Sequence, residues 1–129
     1  MNVVFIGGLT NGKIIVDYIL SQKKIDLSLI ITHPKKHNIQ SHVNFTKYEK
    51  STEVIYNLRV IKHIKKIEEK KPDLIIIAGW SGIIPQQILK IPKKGTVGFH
   101  PSLLPKDRGR SVLAWQIEEG YTETALTMF

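Results

Sequence analysis

The amino-acid sequence predicts an open, mainly parallel α/β sheet with helices on both faces, and three stretches carry that prediction. The chain starts with the apolar run Val3-Val4-Phe5-Ile6, continues through an amphipathic stretch from Asn11 to Gln22, and reaches Leu27-Ser28-Leu29-Ile30-Ile31-Thr32. That is the order strand, helix, strand of a β-α-β unit, whose crossover should be right-handed. Further on, Asp73-Leu74-Ile75-Ile76-Ile77-Ala78 is a continuous apolar run between the breakers Pro72 and Gly79, as a strand covered on both faces requires. The third stretch is Thr96 to Phe99, a short apolar run that leads into a proline-bracketed loop.

In chain order, the first strand closes at Gly7-Gly8. The following helix should turn Ile14, Ile15, Tyr18 and Ile19 to one face. From His33 to Asn57 the prolines, lysines, asparagines and histidines His33, His37 and His42 read as a surface loop, with Glu53 to Tyr56 as a short third strand. His33 and His37 have a spacing that could share a metal on a helix. Pro34 opposes that helix and no carboxylate cluster completes a ligand set, so no metal is expected. Ile61, Ile64 and Ile67 with lysines between them predict an amphipathic helix from Leu58 to Lys70, stopped by Pro72. Pro85 to Lys90 should be a short helix with proline in its first turn, and Pro92-Lys93-Lys94-Gly95 turns the chain into the next strand. Ser111 is a natural N-cap for a helix from Val112 to Glu119, which Gly120 closes. Thr122 to Phe129 alternates and reads as a strand; a chain finishing within an element leads us to expect a piece of a longer protein.

Length and composition narrow the function classes. With 129 residues and 42% hydrophobic content the chain reads as one globular domain. The absence of cysteine excludes disulfides, thiolate nucleophiles and Cys-ligated zinc. No apolar run approaches the ~18 residues of a membrane span, and no basic segment precedes the first strand, so the default location is the cytoplasm. A net charge of +8 favours an anionic small-molecule partner. The lysines are scattered as pairs (Lys23-Lys24, Lys65-Lys66, Lys93-Lys94) on helix ends and loops, so nucleic acid is not expected as the partner.

Two places carry candidate chemistry. Gly7, Gly12 and the run between them approach a dinucleotide fingerprint, but Leu9 fills the middle glycine and no acid follows the second strand, which argues against NAD. Asn11 and Gly12 at the start of the helix remain candidates for holding an anionic substrate; a glycine turn closing strand onto helix is an equally good reading. The second place is Gly98-Phe99-His100-Pro101-Ser102-Leu103-Leu104-Pro105-Lys106-Asp107-Arg108-Gly109-Arg110. His100 should stand where a strand ends, which is where open α/β sheets bind ligands. Arg108 and Arg110 offer guanidinium forks for carboxylate or phosphate, and Gly109 lets the backbone turn between them.

His-Pro-Ser-Leu-Leu-Pro followed by Arg-Gly, preceded by Ile75-Ile76-Ile77-Ala78-Gly79-Trp80-Ser81 and Ile84-Pro85, resembles the 10-formyltetrahydrofolate-dependent formyltransferases. The resemblance runs from Met1 to Phe129 in layout and is specific from about Pro72 onward. It implies a Rossmann-like sheet and a formyl group moved from 10-formyltetrahydrofolate to the amine of a small substrate, a nucleotide-linked amino sugar first and methionyl-tRNA second. It implies that His100 is the catalytic residue. It also implies that the loop Gly79, Trp80, Ser81, Gly82, Ile83 and Ile84 lines the folate pocket together with Ser102, Leu103, Leu104 and Pro105. Arg108 and Gly109 would meet the acceptor. This sequence departs from the family pattern Asn-x-His, because Gly98 stands at the asparagine position, and the family's downstream aspartate lies beyond Phe129. A folate- or nucleotide-binding module without catalysis is therefore the reading from another class.

Overall fold

Parallel hydrogen bonding organises the first part of the chain, as seen in a computed structural model that describes residues 1–35 and 43–129. The chain divides into two compact units, residues 1–97 and 98–129. In the first unit, β1 (Asn2–Gly7) pairs in parallel with β2 (Asp26–Thr32) on one side and with β4 (Leu74–Ala78) on the other. The short β3 (Glu53–Tyr56) pairs in parallel with β2, so the order is β3-β2-β1-β4, followed by the first residues of β5 (Thr96–His100). The register of β1 on β4 runs from Val3 opposite Leu74 to Gly7 opposite Ala78.

The residues of β1 explain why it is central. Val3, Val4, Phe5 and Ile6 are all 0% exposed, which only a strand covered on both faces achieves. Because alternate side chains point to opposite faces, Val4 and Ile6 join Leu29, Ile31, Val60, Ile67, Ile75 and Ile88 in one core cluster. Phe5 faces the other way, where it stacks on Phe45 at 6.4 Å and lies beneath Gly12 of α1 (Leu9–Ser21). Helices thus cover both faces, α1 on one and α2 (Ile64–Lys70), through Ile67, on the other. Each such aliphatic side chain contributes about 1.5–3 kcal/mol by leaving water.

The helices depart from the sequence expectation in instructive ways. Helix α1 buries Gly12, Val16 and Ile19, while Ile14 and Tyr18 are more than 60% exposed. The reason is the one-residue turn between β1 and α1. It starts the helix at Leu9 and draws Gly12 against Phe5 and the Ala78 carbonyl, which fixes the inward face. The helix predicted from Leu58 begins instead as a 3-10 turn at Val60–His63 before α2. The tighter turn puts Val60 inside and Ile61 outside. The α3 helix (Gln86–Leu89) follows Pro85 as expected, and Ile88 anchors it in the core.

In the second unit, the end of β5 pairs antiparallel with β6 (Thr127–Met128), Phe99 opposite Met128 and His100 opposite Thr127. The strand predicted from Thr122 is therefore two residues long. The residues before it close α4 (Val112–Glu118): the Tyr121 N–H bonds the Gln116 carbonyl, and the Thr124 hydroxyl bonds the Gln116 side chain. Ser111 stands at the N-cap of α4 but makes no side-chain cap, because its own backbone is left-handed at φ 57. Gly120, with φ 74, ends the helix as predicted. No helix among the described residues is long and apolar enough to cross a membrane.

Candidate active site

Two sets of candidate residues lie at strand ends, one in each unit. In the first unit the end of β1 is locked to the end of β4, where the Gly8 N–H donates to the Ala78 carbonyl at 3.0 Å. Gly79 follows with φ 63, and a Cβ there would strike the Gly8 carbonyl and lie 2.6 Å from Asn11 Oδ1. Only glycine fits that close passage. Asn11 is exposed, and its side-chain oxygen accepts from the Gly12 N–H at 2.9 Å. The same Gly12 N–H also bonds the Gly8 carbonyl at 3.1 Å, so this turn already uses the donor that the sequence offered to an anion.

Trp80 follows Gly79, half-buried against the core, with its ring 5.1 Å from that of His33. His33, just past β2, is 3% exposed, and a Cβ on Gly8 would run into its Nδ1. The Trp80 Nε1–H is buried with no protein acceptor among the described residues, and Gly82 passes it so closely that a Cβ would come within 3.1 Å. Ser81 and Gly82 are exposed, Ile83 is 95% exposed, and Ile84 packs on the core. No group of three or more metal-ligating side chains occurs among the described residues. His37, the other half of the considered histidine pair, lies outside them.

In the second unit, His100 ends β5, as the sequence implied. Its Nε2 is 2.8 Å from the Asp107 carbonyl oxygen. A carbonyl can only accept, so Nε2 carries the proton and Nδ1 is the nitrogen able to take up another. The loop between them is fixed from inside. Ser102, 0% exposed, donates its hydroxyl to the Lys106 carbonyl at 2.8 Å, and its own carbonyl accepts from Thr127 Oγ1 at 2.6 Å. The Leu104 N–H reaches the same Thr127 oxygen at 3.3 Å. Leu103 and Pro105 are exposed and Leu104 is half-buried. Arg108 and Arg110 are exposed, and Gly109 between them has φ 111, the turn the sequence required.

Three residues that sequence reasoning missed complete this unit. Asp107, with φ 52, presents its carbonyl to His100, and its carboxylate accepts from Gln116 Nε2 at 2.7 Å. Gln116, 5% exposed, also accepts from the Thr124 hydroxyl at 2.7 Å. The one available signal was a polar residue flanked by apolar ones in α4. Phe129 stands at the departure from the family pattern. It exchanges both backbone hydrogen bonds with Gly98, at 2.7 and 3.0 Å, and a Cβ on Gly98 would lie 2.7 Å from its ring. The space where the family pattern has an amide is here bounded by an aromatic edge.

Comparison with known proteins agrees with the sequence resemblance. The chain is 30% identical over 119 residues to a methionyl-tRNA formyltransferase of Ehrlichia ruminantium, covering 92% of this chain and 38% of the relative. It is 40% identical over 72 residues to the enzyme of that name from Alkaliphilus oremlandii, covering 56% of this chain and 23% of the relative. The chain thus spans well under half the length of these relatives. Among solved structures, a phosphoribosylglycinamide formyltransferase from Bacillus halodurans superposes with a TM-score of 0.75 at 22% identity, covering 99% of this chain and 70% of that one. A formyltetrahydrofolate deformylase from Pseudomonas putida superposes with a TM-score of 0.65 at 16% identity, covering 98% of this chain and 47% of that one. At those identities the structures establish the fold. The family described as formyl transferase matches residues 1–129, every element above included, and the chain belongs to that family.

Proposed function

We propose that this chain is the catalytic part of an N-formyltransferase that takes its one-carbon unit from 10-formyltetrahydrofolate. The carrying observation is His100: it ends a strand, and its Nε2–H is tied to the Asp107 carbonyl, leaving Nδ1 for proton exchange. In the reaction a bond forms between the acceptor amine and the formyl carbon, and the bond from that carbon to the folate nitrogen breaks. The amine loses one proton and the folate nitrogen gains one, a transfer that an imidazole with one protonated and one free nitrogen performs. Folate contacts are assigned to Gly79 through Ile84 and to Ser102 through Pro105. One observation supports such a ligand: the Trp80 Nε1–H is buried with no acceptor among the described residues, and Gly82 passes close to it. Asn11, Gly12, Arg108 and Gly109 are assigned to the acceptor, through the exposed Asn11 and Arg108 side chains and not the Gly12 N–H, which the turn already uses.

The acceptor in this proposal is an amine on an anionic molecule, in keeping with the charge of +8. A nucleotide-linked amino sugar is the acceptor class the sequence suggested. Methionyl-tRNA is the second reading, favoured by a relative 30% identical along 92% of the chain. The full-length protein, supplied with 10-formyltetrahydrofolate and a panel of nucleotide-linked amino sugar, methionyl-tRNA and phosphoribosylglycinamide, should release tetrahydrofolate with one of them. Saturable folate binding with no turnover on any would support the non-catalytic module instead. A cytoplasmic location belongs to the same proposal and is read by cell fractionation.

A further inference from the structure

We infer that Gln116 is a positioning residue for His100, acting through Asp107. The inference rests on the reading of His100 as the proton-transfer group and goes beyond it by naming what holds the imidazole. His100 meets a backbone carbonyl, so its orientation depends on where residue 107 is held. That residue is in the left-handed region at φ 52, which aspartate enters only occasionally, and its own side chain is held by a neighbour.

The neighbour is Gln116. Its Nε2 donates to the Asp107 carboxylate at 2.7 Å, and its Oε1 accepts from Thr124 Oγ1 at 2.7 Å. Both partners fix the orientation of the amide, since an ionised carboxylate only accepts and the hydroxyl has a proton to give. Gln116 is 5% exposed in the middle of α4, where an apolar residue would pack without the need for partners. A buried amide with both ends satisfied makes a stiff link. The chain of contacts therefore runs from Thr124 through Gln116 and Asp107 to the Nε2–H of His100, keeping Nδ1 as the exchanging nitrogen.

The test uses full-length protein and two readouts. Gln116→Leu and Gln116→Glu should each lower kcat by ~10²-fold with folate affinity unchanged, as a misplaced proton-transfer group does. Asp107→Asn combined with Gln116→Glu should restore most of the lost turnover. The asparagine amide then donates to the new carboxylate, asparagine is tolerated at positive φ, and the carbonyl at 107 stays in place. In nitrogen-15 spectra, neutral His100 should carry its proton on Nε2 in wild type and in the double variant, and become a tautomer mixture in the single ones. Single variants with wild-type kcat and tautomer would overturn the inference. So would lost turnover with an unchanged tautomer and no rescue, which marks a purely structural glutamine. If Gln116→Leu fails to fold, the Gln116→Glu single and the rescued double carry the test. If wild type transfers no formyl group at all, the proposed function fails, and the tautomer arm alone still decides the role of Gln116.

Discussion

Gly7 and Gly98 are both enclosed, but by atoms of different mobility, and the difference sets what each will tolerate. A Cβ on Gly7 would fall onto the Ala78 backbone carbonyl, with Phe5 Cζ at 2.8 Å, inside a paired strand that cannot open locally. Gly7→Ala should therefore destabilise the fold by ~3 kcal/mol or more in chemical denaturation. At Gly98 the obstacle is the Phe129 ring, 67% exposed and able to swing aside. Gly98→Ala should cost about 1 kcal/mol or less in the same assay. From sequence, Gly98 was visible only as a missing amide. The ring that meets it is supplied by β-pairing, which no local pattern encodes. The Asp107 and Gln116 contact was hidden for the same kind of reason: Asp107 sits between two basic residues and reads as ordinary surface, until the turn before α4 brings it to Gln116.

The helices show where periodicity suffices and where it fails. Strands β1, β2 and β4 were legible because a strand buried on both faces must be a continuous apolar run. Helix α1 was legible as a helix but not in its orientation. Ile14 and Tyr18 look like core residues, and only the close passage of Gly12 over Phe5 turns them outward. At the end of α2, Lys71 occupies a left-handed C-cap with φ 47. Lys71→Gly removes the Cβ conflict and should raise stability by about 0.5–1 kcal/mol, measured by urea midpoint.

A second effect at this scale ties α1 to the 3-10 turn at Thr46–Lys50. Asp17 accepts from Lys13 at 2.7 Å, from Lys47 at 2.7 Å and from the Tyr48 hydroxyl at 2.8 Å. Burial opposes ionisation of Asp17, but these three donors prevail and hold its carboxyl well below the ordinary 3.8. Burial and the neighbouring Asp17 push the Tyr48 hydroxyl above its ordinary range. A carboxyl depressed in the folded state stabilises the fold above its unfolded value and stops doing so as pH falls through its folded value. Asp17→Asn should accordingly be less stable than wild type at neutral pH, and the gap should narrow as denaturation is followed to pH values below 3.8. A gap that stays constant on acidification would mean that geometry, not charge, makes the link.

Across the whole molecule, charge and chemistry divide differently. Of the basic residues behind the net charge of +8, Lys13, Lys35, Lys47, Lys66 and Lys70 are drawn into ion pairs in the first unit. Arg108 and Arg110 stand exposed in the second, on the turn that follows the His100 loop. The excess of positive charge itself belongs to the first unit, since in the second Lys106, Arg108 and Arg110 stand against Asp107, Glu118, Glu119 and Glu123. The motif residues were legible because chemistry demands particular side chains at a strand end. The residues that hold them were not, since any well-placed hydrogen-bonding group would serve.

The most direct measurement is single-turnover formyl transfer by the full-length protein and its His100→Ala variant, with folate affinity determined on both. A proton-transfer group contributes ~10²–10⁴-fold in rate, and with Gly98 offering no amide the loss should fall in the upper part of that range while folate affinity stays close to wild type. Near wild-type turnover in His100→Ala, or loss of the fold itself, would make His100 a structural residue and contradict the mechanism.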